Sequence, residues 1–265
     1  MKIFLCHIML ICCISYGYGQ VPFECNGLSF RVLAADEGTY LQKINQDESN
    51  QTISFSNLHF YPGQEINAIA YHPSQNVIYG ILQTQPFQLC RIDAAYNLEI
   101  LQTLPLSTDL VYVSGDITPD EKHLVVFGLG KNITENIVAL VDVQTGVYDT
   151  QILSLQTTNP DQPFIYCADI AFHPTTGELY GFDFKNGRLV SLDITNRIIN
   201  NDTYPISSIV VGNVPSIFFN DKGDLYGIGT NLQEETENRG YYKFDLATGQ
   251  PDLLQELEIE RNQDA

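Results

Sequence analysis

A unit of about 50 residues recurs along the chain. A repeat of that size buries its apolar faces only against neighbouring copies of itself. Residues 168–199 read ADIAFHPTTGELYGFDFKNGRLVSLDITNRII, and residues 67–100 read NAIAYHPSQNVIYGILQTQPFQLCRIDAAYNLEI. Residues 215–250 carry SIFFNDKGDLYGIG and then YYKFDLATGQ, and a diverged copy over 115–147 carries HLVVFGLG and IVALVDVQTGV. Each copy closes one run on an aspartate: Asp93, Asp142, Asp193 and Asp245 stand 49, 51 and 52 residues apart, and Asn45 lies 48 before Asp93.

Every unit divides into four short β-branched and aromatic runs bounded by Gly, Asn, Asp and Pro, the signature of strands joined by tight turns. The second run holds a Tyr-Gly pair, Tyr79-Gly80, Tyr180-Gly181 and Tyr226-Gly227, with Phe127-Gly128 standing in. No stretch keeps a 3.6-residue period, which excludes a helical solenoid. The pattern predicts an all-β fold, a β-propeller of about five four-stranded blades; a β-solenoid or stacked sandwiches are the alternatives at this period. The first blade lacks a strand, because 28–32, 40–44 and 52–58 supply only three. The ring is expected to close by joining N- and C-terminal strands, with 257–261 as the candidate inner strand.

Residues 1–19 read as a signal peptide: Lys2, an apolar stretch over 3–14, and small Gly17 and Gly19 before a cleavage point at Gln20. Residues 20–265 are then one secreted propeller domain of about 246 residues, with no stretch approaching the ~20 apolar residues of a membrane span. Acidic residues number 32 against 13 basic, which argues against nucleic acid. Sequons at Asn50, Asn132 and Asn201 predict N-glycosylation in a eukaryotic source. Of six cysteines, Cys6, Cys12 and Cys13 leave with the signal; Cys90 and Cys167 sit in apolar runs and read as buried thiols, leaving Cys25.

The repeated Asp side chains each precede a turn whose N–H groups a carboxylate can accept, so they read as turn residues. His72 and His173 precede prolines at matching places and read as turn caps. Tyr79, Tyr180 and Tyr226 read as core aromatics. Asp116 and Asp169 differ: both precede isoleucine in an innermost strand, near the channel mouth. They are the candidate Ca²⁺ ligands, with Asn67 or Asn213 as helpers, or else a strand-edge pair bonded to neighbouring backbone N–H groups.

Several segments carry a resemblance: Cys25-Asn26-Gly27, Gly115-Asp116-Ile117-Thr118-Pro119-Asp120, Ala168-Asp169-Ile170-Ala171-Phe172, and the runs over 216–226 and 244–249. In order and coverage they resemble an uncharacterised β-propeller family of extracellular and surface-attached proteins in bacteria and some marine invertebrates. The resemblance implies fold and secretion and brings no catalytic residues. It also implies an Asn/Asp-Gly stretch and a cysteine after the last blade, so that a truncated C-terminus and a Cys25 partner beyond Ala265 are expected.

The composite expectation is a non-enzymatic binding or scaffold module of an extracellular matrix, a mineralised one included, or of a cell surface. No cofactor is expected beyond calcium. Recognition would use loops such as 157–163 and 231–238, and the carboxylates over 252–260 would gather Ca²⁺ diffusely. The alternative is a hydrolase, for example a glycosidase, for which Asp116, Asp169 and Asp183 form the one available carboxylate triplet.

Overall fold

In a computed structural model the chain is built from β-strands, and the structure describes residues 20–23, 29–130, 135–207, 212–230 and 239–257. No helix occurs among the described residues. The strands form five consecutive antiparallel meanders. The first holds β1 (Ser29–Ala35), β2 (Gly38–Asp47) and β3 (Thr52–Pro62); the second holds β4 (Ile66–His72), β5 (Val77–Leu82), β6 (Gln88–Ile92) and β7 (Leu98–Thr103). The third holds β8 (Val111–Ile117), β9 (His123–Leu129), β10 (Asn136–Asp142) and β11 (Thr150–Thr157). The fourth holds β12 (Cys167–Phe172), β13 (Leu179–Asp183), β14 (Arg188–Asp193) and β15 (Ile198–Asn200). The last holds β16 (Ser216–Phe219), β17 (Leu225–Thr230), β18 (Arg239–Phe244) and β19 (Pro251–Leu257). A short parallel contact between the outer strands β11 and β15 joins the third and fourth meanders into one eight-stranded sheet.

The second strand of each full meander explains why the sequence reads as apolar runs rather than alternation. All six residues of β5, VIYGIL, are buried. Successive side chains point to opposite faces of a strand, and here both faces are covered by a neighbouring sheet. Ile78 packs with Leu41 and Tyr61 of the first meander, whereas Tyr79 packs with Leu124 and Val126 of the third. The pattern repeats: Val125 and Leu179 share one cluster, and Tyr180 and Leu225 share the next. A fifth cluster joins Ile44 and Ile53 of the first meander to Tyr226, Ile228 and Tyr241 of the last. At ~1.5–3 kcal/mol per fully buried large apolar side chain, these interfaces between sheets are the main store of stability.

The first and last meanders also meet through polar groups. The Gln46 side-chain amide donates to the Tyr241 hydroxyl at 2.8 Å, the Ile53 N–H donates to Gln255 Oε1 at 2.8 Å, and Lys222 pairs with Glu48. The first and last meanders therefore lie together. Leu257 belongs to β19 and pairs with Arg239 of β18, so it is not an inner strand of the first sheet; residues 258–261 lie outside the described residues. β1 takes the edge of its three-stranded sheet and lies beside β4. In the rest of the molecule β4, β8, β12 and β16 follow one another as neighbours.

Register corrects two alignments made on sequence. Tyr79, Tyr180 and Tyr226 face Ala70, Ala171 and Phe218 across their hairpins, and the residue at that register in β9 is Val125, opposite Asp116. Val125-Val126, rather than Phe127-Gly128, thus occupies the Tyr-Gly place. The glycine has changed strands: Gly115 faces Val126, where Ile170 faces Gly181 and Ile217 faces Gly227. Gly115 is required for a second reason, since a Cβ there would lie 2.8 Å from the Ala68 carbonyl oxygen of β4. The turn aspartate of the first meander is Asp47, not Asn45. Its carboxylate accepts the Ser49 and Asn50 N–H groups at 3.0 and 3.2 Å.

Candidate functional site: the central cavity

The innermost strands enclose a cavity of about 620 Å³. Its walls come from β1, β4, β8, β12 and β16, with Ile228 and Arg239 reaching it from β17 and β18. Asp116 and Asp169 both line it, as the sequence suggested. They are not equivalent, because the ladder sets Asp116 at the place of Ala171, two residues along from Asp169.

Each carboxylate oxygen accepts one backbone N–H. Asp116 Oδ1 accepts the N–H of Ile117 at 2.8 Å, and Oδ2 accepts that of Phe172 in β12 at 2.7 Å. Asp169 Oδ1 accepts the N–H of Ile170 at 2.9 Å, and Oδ2 accepts that of Ile217 in β16 at 2.8 Å. The two residues thus clip β8 to β12 and β12 to β16, which is the geometry of the strand-edge alternative. Asn67 makes the local half of the motif, accepting the Ala68 N–H at 3.0 Å. Burial pushes the Asp116 carboxyl up to about 6 despite the two N–H donors, which act the other way. Burial also holds Asp169 well above the ordinary carboxylate range, and the Asp116 charge adds to it. Among the described residues no three His, Cys, Asp or Glu side chains converge on a common point.

The glycosidase triplet does not assemble. Asp183 is absent from the cavity wall and fully buried; it accepts the Tyr166 N–H at 3.2 Å and the Asn186 side-chain amide at 2.7 Å. The other repeated aspartates hold turns. Asp93 accepts from Ala95 and Asn97, Asp142 from Gln144 and Thr145, Asp193 from Asn196, and Asp245 from Ala247 and Thr248. All four carboxyls are held below their ordinary range, with these hydrogen bonds acting in that direction. His72 is buried, with Nε2 against the Glu121 carbonyl at 2.9 Å, and His173 Nδ1 accepts the N–H groups of Thr175 and Thr176.

The basic residues of the cavity were missed on sequence. Arg31 is 8% exposed, its Nε donating to Gln42 at 2.6 Å and its guanidinium 3.3 Å from the centroid of the Phe55 ring. Arg239 lines the same wall with no ion pair among the described residues. A lone arginine in a diverged repeat carries no spacing signal that would have found it.

Of the three sequons, Asn50 is exposed in the β2–β3 turn, and Asn132 lies outside the described residues. Asn201 departs from expectation. It is 1% exposed, its Nδ2 donates to the Gln162 carbonyl at 2.9 Å, and its Oδ1 accepts the Asn159 N–H, so a glycan has no room there. This asparagine holds the loop over 157–163, of which Thr158, Pro160, Asp161 and Pro163 are exposed. The loop over 231–238, Cys25 and residues 1–19 lie outside the described residues. Cys90 and Cys167 are buried free thiols; burial pushes Cys90 up to about 12 and Cys167 well above its ordinary range.

A family described as a repeat of unknown function, DUF6923, matches residues 31–234. The chain belongs to this family. No curated protein matches it. Among solved structures, the DUF6923 chain is similar to a structural-genomics protein of unknown function from Bacteroides thetaiotaomicron, at 10% identity and TM-score 0.52, over 83% of this chain and 58% of that one. This chain therefore spans less than two thirds of that protein. It is also similar to a gluconolactonase from Xanthomonas campestris, at 13% identity and TM-score 0.51, over 88% and 85% of the two chains. A putative TolB from Agrobacterium tumefaciens aligns at 11% identity and TM-score 0.51, over 86% and 77%. At such identities the likeness shows the fold alone, and that fold is β-propeller-like. Among the described residues no helix is long and apolar enough to cross a membrane.

Proposed function

We propose that the five meanders are blades of one ring, closed where the first sheet meets the last, and that this ring is a secreted, non-catalytic recognition module. Its partner would be a macromolecule of an extracellular matrix or cell surface. The observation that carries the non-catalytic part is the state of Asp116 and Asp169. A retaining or inverting glycosidase needs two carboxyls free to reach a sugar and its water. Here all four oxygens accept backbone N–H bonds from the strands they hold together. The carboxylates are devices of the ring, and the cavity around them is a place to bind.

Fold alone does not decide function, so the test addresses both parts. Expressed in cultured eukaryotic cells, the full chain is expected in the medium with Gln20 at its N-terminus; retention inside the cell would overturn the secretion reading. Purified protein is expected to leave nitrophenyl glycosides and aldonolactones intact. Turnover that disappears in Asp116→Asn and Asp169→Asn would install the hydrolase instead.

A further inference from the structure

Residues 20–23 form a strap across the second meander. The Val21 N–H donates to Asp93 Oδ2 at 3.3 Å, the Val21 carbonyl accepts the Ala94 N–H at 2.7 Å, and the Phe23 N–H donates to the Asn76 carbonyl at 2.9 Å. Phe23 is buried and packs against Phe30 of β1, Tyr71 of β4 and Tyr96, so the strap ties the first sheet to the second. Its first residue is held as well. The Gln20 side-chain amide lies against the Arg91 guanidinium of β6, and the two groups match only with the amide oxygen turned toward it. That oxygen then accepts from Nε, from Nη1 at 3.1 Å and from Nη2 at 2.7 Å.

The repeat does not require an arginine at this place. Arg91 faces Tyr79 across its ladder, and the residues at the same register in the next three meanders are Leu140, Ser191 and Lys243. Glu99 of β7 fixes Arg91 from the other side, Nη2 to Oε2 at 2.7 Å. The secretion reading makes Gln20 the first residue of the mature chain, with a free α-amine. A terminal glutamine carries its own electrophile, since that amine reaches the side-chain Cδ through a five-membered ring. Here the side-chain oxygen already meets a cation able to stabilise the negative charge that grows on it as the amine adds. Three backbone hydrogen bonds hold the adjoining residues in place.

We propose that Gln20 is a modification site, closing after cleavage to a terminal pyroglutamyl ring with Arg91 as the donor to the oxyanion. The lone pair of the neutral α-amine forms a bond to Cδ, and the Cδ–Nε2 bond breaks. The amide nitrogen leaves as ammonia, taking the proton that the amine sheds, so no co-reactant is needed. The lactam keeps the same oxygen on Arg91 and removes an ammonium charge from the neighbourhood of that guanidinium. This inference rests on the secretion reading, and its test separates the two.

The full chain is secreted from cultured eukaryotic cells treated with a glutaminyl cyclase inhibitor, then incubated at pH 7 and followed by mass spectrometry of its N-terminal peptide. That peptide is expected to begin at Gln20 and to lose one ammonia in a first-order process. The rate is expected to fall about tenfold in Arg91→Gln and in wild type unfolded in urea, less than the ~100-fold of an enclosed oxyanion donor, because the Arg91 side chain is 19% exposed. Glu99→Gln breaks the ion pair but keeps the guanidinium, and is expected to retain the wild-type rate. A Gln20 that stays open would overturn the proposal and leave secretion standing. A rate indifferent to Arg91→Gln, or equally slowed by Glu99→Gln, would overturn it too. A peptide beginning at another residue would remove the cleavage point and the proposal together.

Discussion

Replacing Asp116 with asparagine is expected to change the pH dependence of stability more than stability itself. The wild-type carboxyl is raised from 3.8 to about 6 in the fold. A raised carboxyl binds its proton more tightly in the native state than in the unfolded chain. Its ionised form therefore opposes folding above pH ~6, and that opposition fades as pH falls toward 3.8. The rise to about 6 corresponds to roughly 3 kcal/mol, and nearer 2 kcal/mol because the group borders a water-accessible cavity. Asparagine keeps the shape and removes the charge, but its NH₂ must face the N–H of either Ile117 or Phe172. One hydrogen bond is lost, at about 1–2 kcal/mol. At pH 7 the two effects nearly cancel. At pH 4 only the lost bond remains, and the variant is expected to be less stable by about 1–2 kcal/mol. Urea denaturation of both proteins from pH 4 to 7 measures the difference. Taking the difference also removes the opposite trend of Asp93, Asp142, Asp193 and Asp245, whose depressed carboxyls contribute stability that is lost as pH falls. A difference that stays flat across this range, or slopes the other way, would refute the buried-charge argument.

Gly115→Ala is expected to lower the melting temperature, at about 1–3 kcal/mol, because the added methyl meets the Ala68 carbonyl at 2.8 Å and neither strand can retreat. In a eukaryotic host, peptide mapping is expected to find glycan on Asn50 and none on Asn201; an occupied Asn201 would contradict its burial. Millimolar calcium is expected to move the melting temperature of wild type no more than that of Asp116→Asn/Asp169→Asn. A rise of several degrees confined to wild type would establish a discrete calcium site. Under native conditions Cys90 and Cys167 are expected to resist a maleimide that labels them in urea, since burial keeps both protonated and out of reach.

Much of the fold could be read from the chain because a repeat states its grammar several times. The turn aspartates, the Tyr-Gly pairs and the apolar second strands are local demands, met by residues within a few positions of one another, and they recur wherever a hairpin recurs. The errors came where one copy departs from the others. The exchange of glycine between Gly115 and Gly181 slid the third unit by two residues, which made Asp116 look equivalent to Asp169 and Phe127 look like a substitute for tyrosine. In the first unit Asn45 kept the spacing, but Asp47 has the oxygens that close the turn.

The site was legible only in part. Asp116 and Asp169 stood out as carboxylates in apolar strands, but their partners, the Phe172 and Ile217 N–H groups, lie 56 and 48 residues away. Arg239 in the cavity wall and the burial of Asn201 carry no local mark. By itself, then, the chain determined its strands, turns and repeat, since those follow from side-chain alternation and backbone propensity over a few residues. Only the tertiary structure decided which carboxylates are clips, which asparagine is enclosed and which side chains line the cavity. Those properties belong to the meeting of distant sheets, and no spacing along the chain encodes what lies across a gap.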